Sequence, residues 1–192
     1  TYTTPVNHHN PIERHAVVAG WEGDRLTVYT GTQGVFALRA FLARMLGIEA
    51  EAVRVRSPYV GGGFGAKGRG TMTGQVALAA EAARSLGRPV KVELSRAQMY
   101  GLLGYRQPTV QTVRIGARED GKLTAVEHAA TAQTSFAEDH TEPISFISRY
   151  LYSCPNVAVS HRLAKVNAPT PYEMRGPGHG PGSFALESAM DE

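Results

Sequence analysis

Val53-Arg54-Val55-Arg56-Ser57-Pro58-Tyr59-Val60-Gly61-Gly62-Gly63-Phe64-Gly65-Ala66-Lys67-Gly68 is the stretch on which the fold reading turns. Glycine loops between a strand and a helix are common in doubly wound α/β proteins. Gly63-x-Gly65-x-x-Gly68 satisfies a dinucleotide fingerprint, and Glu93 ends the next strand where a ribose-binding acid would stand. The strand in front argues otherwise. A central parallel strand is buried on both faces and reads as an unbroken apolar run, whereas Val53-Arg54-Val55-Arg56 alternates charge and runs into Ser57-Pro58. A P-loop is excluded too, because no Gly-x-x-x-x-Gly-Lys-Ser/Thr fits residues 60–70.

Outward from this loop the pattern alternates irregularly. Upstream, β-branched runs at 15–21 and 25–30 flank Glu22-Gly23-Asp24 and predict a hairpin. Val35, Leu38, Leu42 and Met45 then fall at helical spacing, with Gly47 as the stop. Downstream, Val76, Ala79, Ala80, Ala83 and Leu86 predict a helix closed by Gly87, and Val90, Val92 and Leu94 predict a half-buried strand. Ser95 with Gln98 is a capping-box signature. Strands at 109–117 and 123–134 flank Asp120-Gly121, residues 144–152 read as a helix, and 157–167 as a strand. A Pro/Gly-rich loop over 169–182 leads to a helix that Ser183 is placed to cap, and residues 1–14 read as an irregular arm. This order predicts an α+β fold, a mixed and largely antiparallel sheet with helices packed on it.

The chain has 192 residues, 42% of them hydrophobic and 19% charged, with 21 Gly, 11 Pro and a single Cys. That is enough for a buried core and too apolar for disorder. One cysteine excludes a disulfide framework and any four-thiolate metal site within the chain. A net charge of +3 gives no argument for nucleic acid, and no apolar run approaches a membrane span. The chain opens on Thr1, shows no signal peptide and ends on Asp191-Glu192 inside a predicted helix, so it reads as a piece of something longer, one partial domain over 1–192.

Two loops carry the candidate chemistry. Main-chain N–H groups of a glycine run before a helix suit an anion, and Arg54, Arg56, Lys67 and Arg69 flank the run. A tight strand-to-helix turn with solvated charges explains the same residues equally well. Met174-Arg175-Gly176-Pro177-Gly178-His179-Gly180-Pro181-Gly182 is stiff at its prolines, and its arginine is able to donate to phosphate or oxo groups; an ordinary surface loop is the simpler reading. His8, His9 and His15 lack a carboxylate or thiolate at ligand spacing and read as part of a surface arm, and Cys154 as an inert thiol. Gln33 reads as a first-turn helix residue and Phe64 as a plug under the turn. Taken one by one, these residues form no catalytic constellation.

Taken together, four ordered blocks resemble the molybdenum-binding subunit of the xanthine dehydrogenase and aldehyde oxidase family, in particular bacterial aldehyde oxidoreductase and isoquinoline oxidoreductase-like subunits. They are His9-Asn10-Pro11-Ile12-Glu13-x-His15-Ala16, Thr32-Gln33-Gly34-Val35-Phe36, residues 60–67, and Met174-Arg175-Gly176-Pro177-Gly178 running on to Glu192. The resemblance implies part of a molybdopterin-binding domain, and a cofactor held as molybdenum-molybdopterin in its cytosine dinucleotide form. It implies an enzyme that oxidises an aldehyde or N-heterocycle with oxygen from water and passes electrons to an iron–sulfur subunit with [2Fe–2S] clusters and an FAD subunit. On the matching positions, Gln33 resembles the glutamine beside the molybdenum oxo ligand. Gly63, Phe64 and Gly65 resemble the loop over the metal and pterin, and Arg175 and Gly176 the second cofactor-contacting loop. No residue here matches a direct metal ligand or the family's catalytic glutamate, so the isolated piece is expected to be inactive. The resemblance leaves the compartment open between bacterial cytoplasm and periplasm.

The departures narrow the substrate. The purine-hydroxylating branch carries a glutamate after the loop lysine and an aromatic residue two after the loop arginine; here Gly68 and Pro177 stand there, which points away from xanthine. Arg14 and His179 also depart from the pattern. Two other readings remain open at this point: a non-catalytic dinucleotide-binding module built on residues 63–68, and a degenerate relative that holds no cofactor.

Overall fold

The computed structural model describes residues 1–68 and 73–192. They pack as two compact units, His9–Gly104 and the pair of segments Thr1–His8 and Tyr105–Glu192. Each is an α+β body on its own four-stranded, mostly antiparallel sheet.

In the first unit, β2 (Ala16–Glu22) and β3 (Arg25–Thr30) form the expected hairpin, turning at Gly23 with φ +57°. β4 (Val53–Arg56) joins β3 in parallel, and β5 (Val90–Glu93) joins β2 antiparallel, giving the order β4-β3-β2-β5. β4 is thus an edge strand, which is why it tolerates Arg54 and Arg56. In a dinucleotide fold the strand after the glycine-loop helix returns beside the first strand. Here β5 lies on the opposite edge of the sheet, and Glu93 is engaged by Arg14 and by Lys91 at 2.9 Å. That topology removes the fingerprint reading.

One face of this sheet, Val17, Ala19, Leu26, Val28 and Val53, is buried beneath α1 (Val35–Leu46) and α2 (Thr73–Leu86). Ala79, Ala80 and Ala83 let α2 approach closely, and Trp21 donates Nε1–H to the Ala80 carbonyl at 2.8 Å. The stripes run as expected except at their ends: Leu38, Leu42 and Ala43 go inside, while Met45 and Leu86 face outward. Gly47 and Gly87 end the helices with φ of +64° and +61°. The capping box of α3 (Arg96–Leu102) is formed in both directions between Ser95 and Gln98.

The second unit has the order β1-β6-β7-β8, with β6 (Thr109–Ala117) and β7 (Leu123–Ser135) antiparallel and β8 (Val157–Val166) parallel to β7. Three expectations are corrected. The arm contains β1 (Tyr2–Thr4), held by pairing with β6. The predicted helix at 144–152 is a 3₁₀ turn, Ser145–Arg149, preceded by Pro143; burial of Ile144, Ser145, Ile147 and Ser148 follows a period of three, which suits the eclipsed faces of that geometry. α4 (His179–Asp191) begins four residues before Ser183, because Pro181 is tolerated in a first turn where its missing N–H costs nothing. Ser183 is therefore interior, and its hydroxyl donates back to the His179 carbonyl at 2.7 Å.

A polar chain crosses the core of this unit. The Gln111 amide donates to the Pro181 carbonyl at 3.0 Å and to Thr109 Oγ1 at 2.8 Å, which leaves Oε1 to accept from His128 Nε2 at 3.0 Å. The tautomer follows: His128 Nδ1 accepts from Ser148 Oγ at 2.8 Å. His128 is fully buried, and desolvation of its charged form pushes its pKa down to about 4. The unfolded chain therefore binds the proton first, and the stability that neutral His128 contributes, about 3 kcal/mol, is present above pH 6.5 and lost as pH falls toward 4. Urea-unfolding midpoints measured from pH 7 to pH 4 should fall across that window, and the fall should be smaller in His128→Gln.

Candidate functional site

Residues 60–68 leave β4 and fold against the start of α1. The N–H of Gln33 donates to the Lys67 carbonyl at 2.8 Å, and its side-chain Oε1 accepts from the N–H groups of Gly65 at 3.0 Å and Lys67 at 3.3 Å. Two N–H donors on one oxygen fix the orientation of the carboxamide, so the Nε2 end is the donor left over, and it meets no acceptor among the described residues. Gln33 is exposed and precedes the helix instead of lying in its first turn. Thr32 braces the same corner, donating Oγ1–H to the Lys67 carbonyl at 3.3 Å and accepting from Gly34 N–H at 3.1 Å.

The glycines divide by purpose. Gly62 and Gly65 have φ of +83° and +106°, which side chains rarely adopt. Gly63 has an ordinary φ, yet a Cβ there would sit 2.4 Å from Gln33 Oε1, so this glycine makes room for the carboxamide. Phe64 itself is held at φ +56° and stands 41% exposed, so it is no plug beneath the turn. Strain of this kind persists only where the surroundings impose it, and it marks functional loops.

The flanking charges do not all face a ligand. Lys67 is 1% exposed and pairs with Glu13, whose Oε2 also accepts from the Gly61 N–H at 3.0 Å. The bond from Lys67 holds the Glu13 carboxyl below its usual range. Arg56 lies over the Tyr29 ring and donates to its hydroxyl at 3.1 Å, Arg54 is exposed, and Arg69 lies outside the described residues. His15 corrects the surface-arm reading. It is 1% exposed and bonds the Ala66 carbonyl through Nε2 at 2.8 Å, with burial pushing its pKa down. No cluster of three or more metal-ligating side chains exists among the described residues.

Arg175 and Gly176 belong to the second unit. Their loop is held by its main chain: Arg106 donates to the carbonyl oxygens of Met174 at 2.9 Å, Gly176 at 3.5 Å and Arg175. Buried Glu142 accepts from the Gly178 N–H at 2.7 Å, where φ is +69° and a Cβ would lie 2.8 Å from Pro143. The Arg175 side chain is exposed and meets no protein partner among the described residues. Arg106 and Glu142 carry no motif signal, and Glu13 and Lys67, though they lie inside two of the quoted blocks, are not singled out there as partners. The one further signal for that pair is that Gly31 and Gly61 stand beside it without a positive φ.

Fold and local geometry together define an α+β protein whose first unit carries a glycine loop with its main-chain donors turned inward and one carboxamide, Gln33, fixed by its oxygen. The chain matches the molybdopterin cofactor-binding domain over residues 1–192, and it belongs to that family. It is 41% identical over its whole length to the aldehyde oxidoreductase molybdenum-binding subunit PaoC of Escherichia coli, and spans 26% of that protein. It is 30% identical over 96% of its length to the xanthine dehydrogenase/oxidase of Felis catus, spanning 14% of it. Among solved structures, quinoline 2-oxidoreductase from Pseudomonas putida 86 superimposes with a TM-score of 0.87 at 24% identity, over 97% of this chain and 25% of that one. Aldehyde oxidoreductase from Desulfovibrio gigas gives 0.81 at 22% identity, over 99% and 22%. These two likenesses bear on the fold alone.

The ion pair is asymmetric, and the asymmetry is measurable. Removing Glu13 strands a buried ammonium, whereas removing Lys67 leaves a carboxylate that is 41% exposed and able to hydrate. Glu13→Ala should cost about 2–3 kcal/mol in denaturant unfolding, discounted from a fully buried pair for that exposure, and Lys67→Met clearly less.

Proposed function

We propose that this chain supplies part of the molybdopterin site of a molybdenum hydroxylase that oxidises an aldehyde or N-heterocycle with oxygen from water. The observation that carries the reading is the Gln33 carboxamide, whose oxygen is consumed by Gly65 and Lys67 and whose NH₂ end meets no acceptor among the described residues. A neutral amide fixed in this way offers a hydrogen bond to a negatively polarised ligand of a metal and has no proton to lose near neutral pH. Residues 63–65 fit the same role. Gly63 leaves the Gln33 carboxamide its place, Gly65 takes a φ of +106° that side chains rarely adopt, and Phe64 stands partly exposed. When bound, the cofactor supplies the two-electron redox chemistry; the protein supplies binding, orientation and electrostatics.

The second unit adds Arg175 and Gly176, with a guanidinium suited to phosphate or oxo groups. Neither Glu187 nor Glu192 is proposed as a base. Glu187 accepts from the Tyr152 hydroxyl at 2.6 Å and Glu192 from the Tyr2 hydroxyl at 2.8 Å, so each already has a partner. The cytosine dinucleotide form of the cofactor, with [2Fe–2S] and FAD on partner subunits, completes the proposal on the strength of the motif resemblance alone. The 41% relative, named as a molybdenum-binding subunit, supports the metal and a multi-subunit enzyme. Arg14, the departure that suggests a degenerate relative, spends its charge on Glu93. Among the described residues no helix is long and apolar enough to cross a membrane.

Elemental analysis of the full-length protein, purified with whatever accompanies it, should give about one molybdenum per chain. Gln33→Ala and Gly65→Asp should each lower turnover by about 10- to 100-fold, or deplete the metal. A metal-free protein after adequate cofactor supply, or wild-type values in both variants, would overturn the assignment.

A further inference from the structure

Two glycines of the first unit are explained neither by turns nor by a cofactor. Gly31 and Gly61 both lack a positive φ, yet a Cβ at Gly31 would lie 2.7 Å from Glu13 Oε2 and 3.3 Å from Lys67 Nζ, and one at Gly61 would lie 2.4 Å from Glu13 Cβ. Both positions are space reserved for one carboxylate. That carboxylate takes the Gly61 N–H and the buried Lys67 ammonium on the same oxygen, while the Glu13 main-chain N–H donates to the Gly61 carbonyl at 3.0 Å. Residue 67 meets Gln33 on its other side. Its carbonyl accepts from the Gln33 N–H at 2.8 Å, and its N–H donates to Gln33 Oε1 at 3.3 Å.

We infer that Glu13 and Lys67 are positioning residues: their ion pair fixes the main chain of residue 67, which fixes the Gln33 oxygen inward and its NH₂ end outward. The inference rests on the molybdopterin reading of Gln33. An ammonium this deeply buried has to keep its counter-charge, shed its proton or move to water. If it moves, the two N–H donors that hold Oε1 move with it, and the carboxamide is free to rotate by half a turn. A rotated amide presents an acceptor where a donor is required, so loss of the pair converts an attraction into a repulsion at the same atom.

The test uses the full-length holoenzyme as wild type, Gln33→Ala, Glu13→Gln, Gly31→Ala, and the double variant Gln33→Ala with Glu13→Gln. Gly31→Ala keeps both charges and crowds the ion pair itself, the carboxylate first and the ammonium less, so it decides the question even if Glu13→Gln fails to fold. Three quantities are read: molybdenum per chain, the paramagnetic resonance spectrum of the partially reduced metal, and kcat and KM with benzaldehyde as probe. The expected result is near wild-type metal content, with the spectra of Glu13→Gln and Gly31→Ala shifted in the same sense as that of Gln33→Ala. kcat should fall about 10-fold or more with KM little changed, and the double variant should be no worse than Gln33→Ala alone. Wild-type spectra and kcat in Gly31→Ala, or effects that multiply in the double variant, would overturn the inference and leave the reading of Gln33 standing. A wild-type protein without molybdenum would instead remove that reading.

Discussion

A lysine ammonium that is 1% exposed has to meet a counter-charge inside the fold, and here the demand is met by a carboxylate 54 residues earlier in the chain. Much of the first unit follows from that requirement. Glu13 has to reach under the glycine loop, which brings His15 within 2.8 Å of the Ala66 carbonyl, and the His15 carbonyl then accepts from the Leu94 N–H at 2.9 Å, just past β5. One short segment before β2 thus ties the loop to the far edge of the sheet. The glycines that suggest an anion site serve, in part, to let this internal contact form.

The second unit solves the same problem with neutral groups. Its apolar clusters are small, and the gap is closed by Gln111, His128, Ser148 and Thr109, each supplying the donor or acceptor that the next one lacks. Such a chain stabilises a fold only when every member is satisfied, and it then specifies one arrangement more sharply than interchangeable aliphatic side chains do. It also ties β6, β7, the 3₁₀ turn and the first turn of α4 at a single place, so the loop before α4 is fixed at its downstream end by the sheet.

The fold is legible where local rules act alone. Alternation gives the strands at 25–30 and 109–117 to the residue, and Gly47, Gly87, Ser95 and Gln98 mark their helix ends correctly. Reading fails where a distant partner decides. β1 is a strand only because β6 offers an edge, and nothing within residues 1–14 announces that. Residues 144–152 carry a pattern that suits a helix, but a buried period of three tightens it to 3₁₀. At the site, the spacing of the glycines draws attention to the right loop, while Lys67 reads as one more flanking charge because its partner lies far away in sequence. Gln33 reads as an ordinary first-turn residue, and only the two N–H groups already on its oxygen set it apart.

Arg106 grips the 174–176 loop by carbonyl oxygens alone. Carbonyls are identical at every residue, so this anchor does not register which side chains the loop carries. The shape of the loop and its chemical content are therefore separable: substitutions at Met174 and Arg175 leave the anchoring atoms in place. Side chains at these two positions can be exchanged without changing how the loop is held.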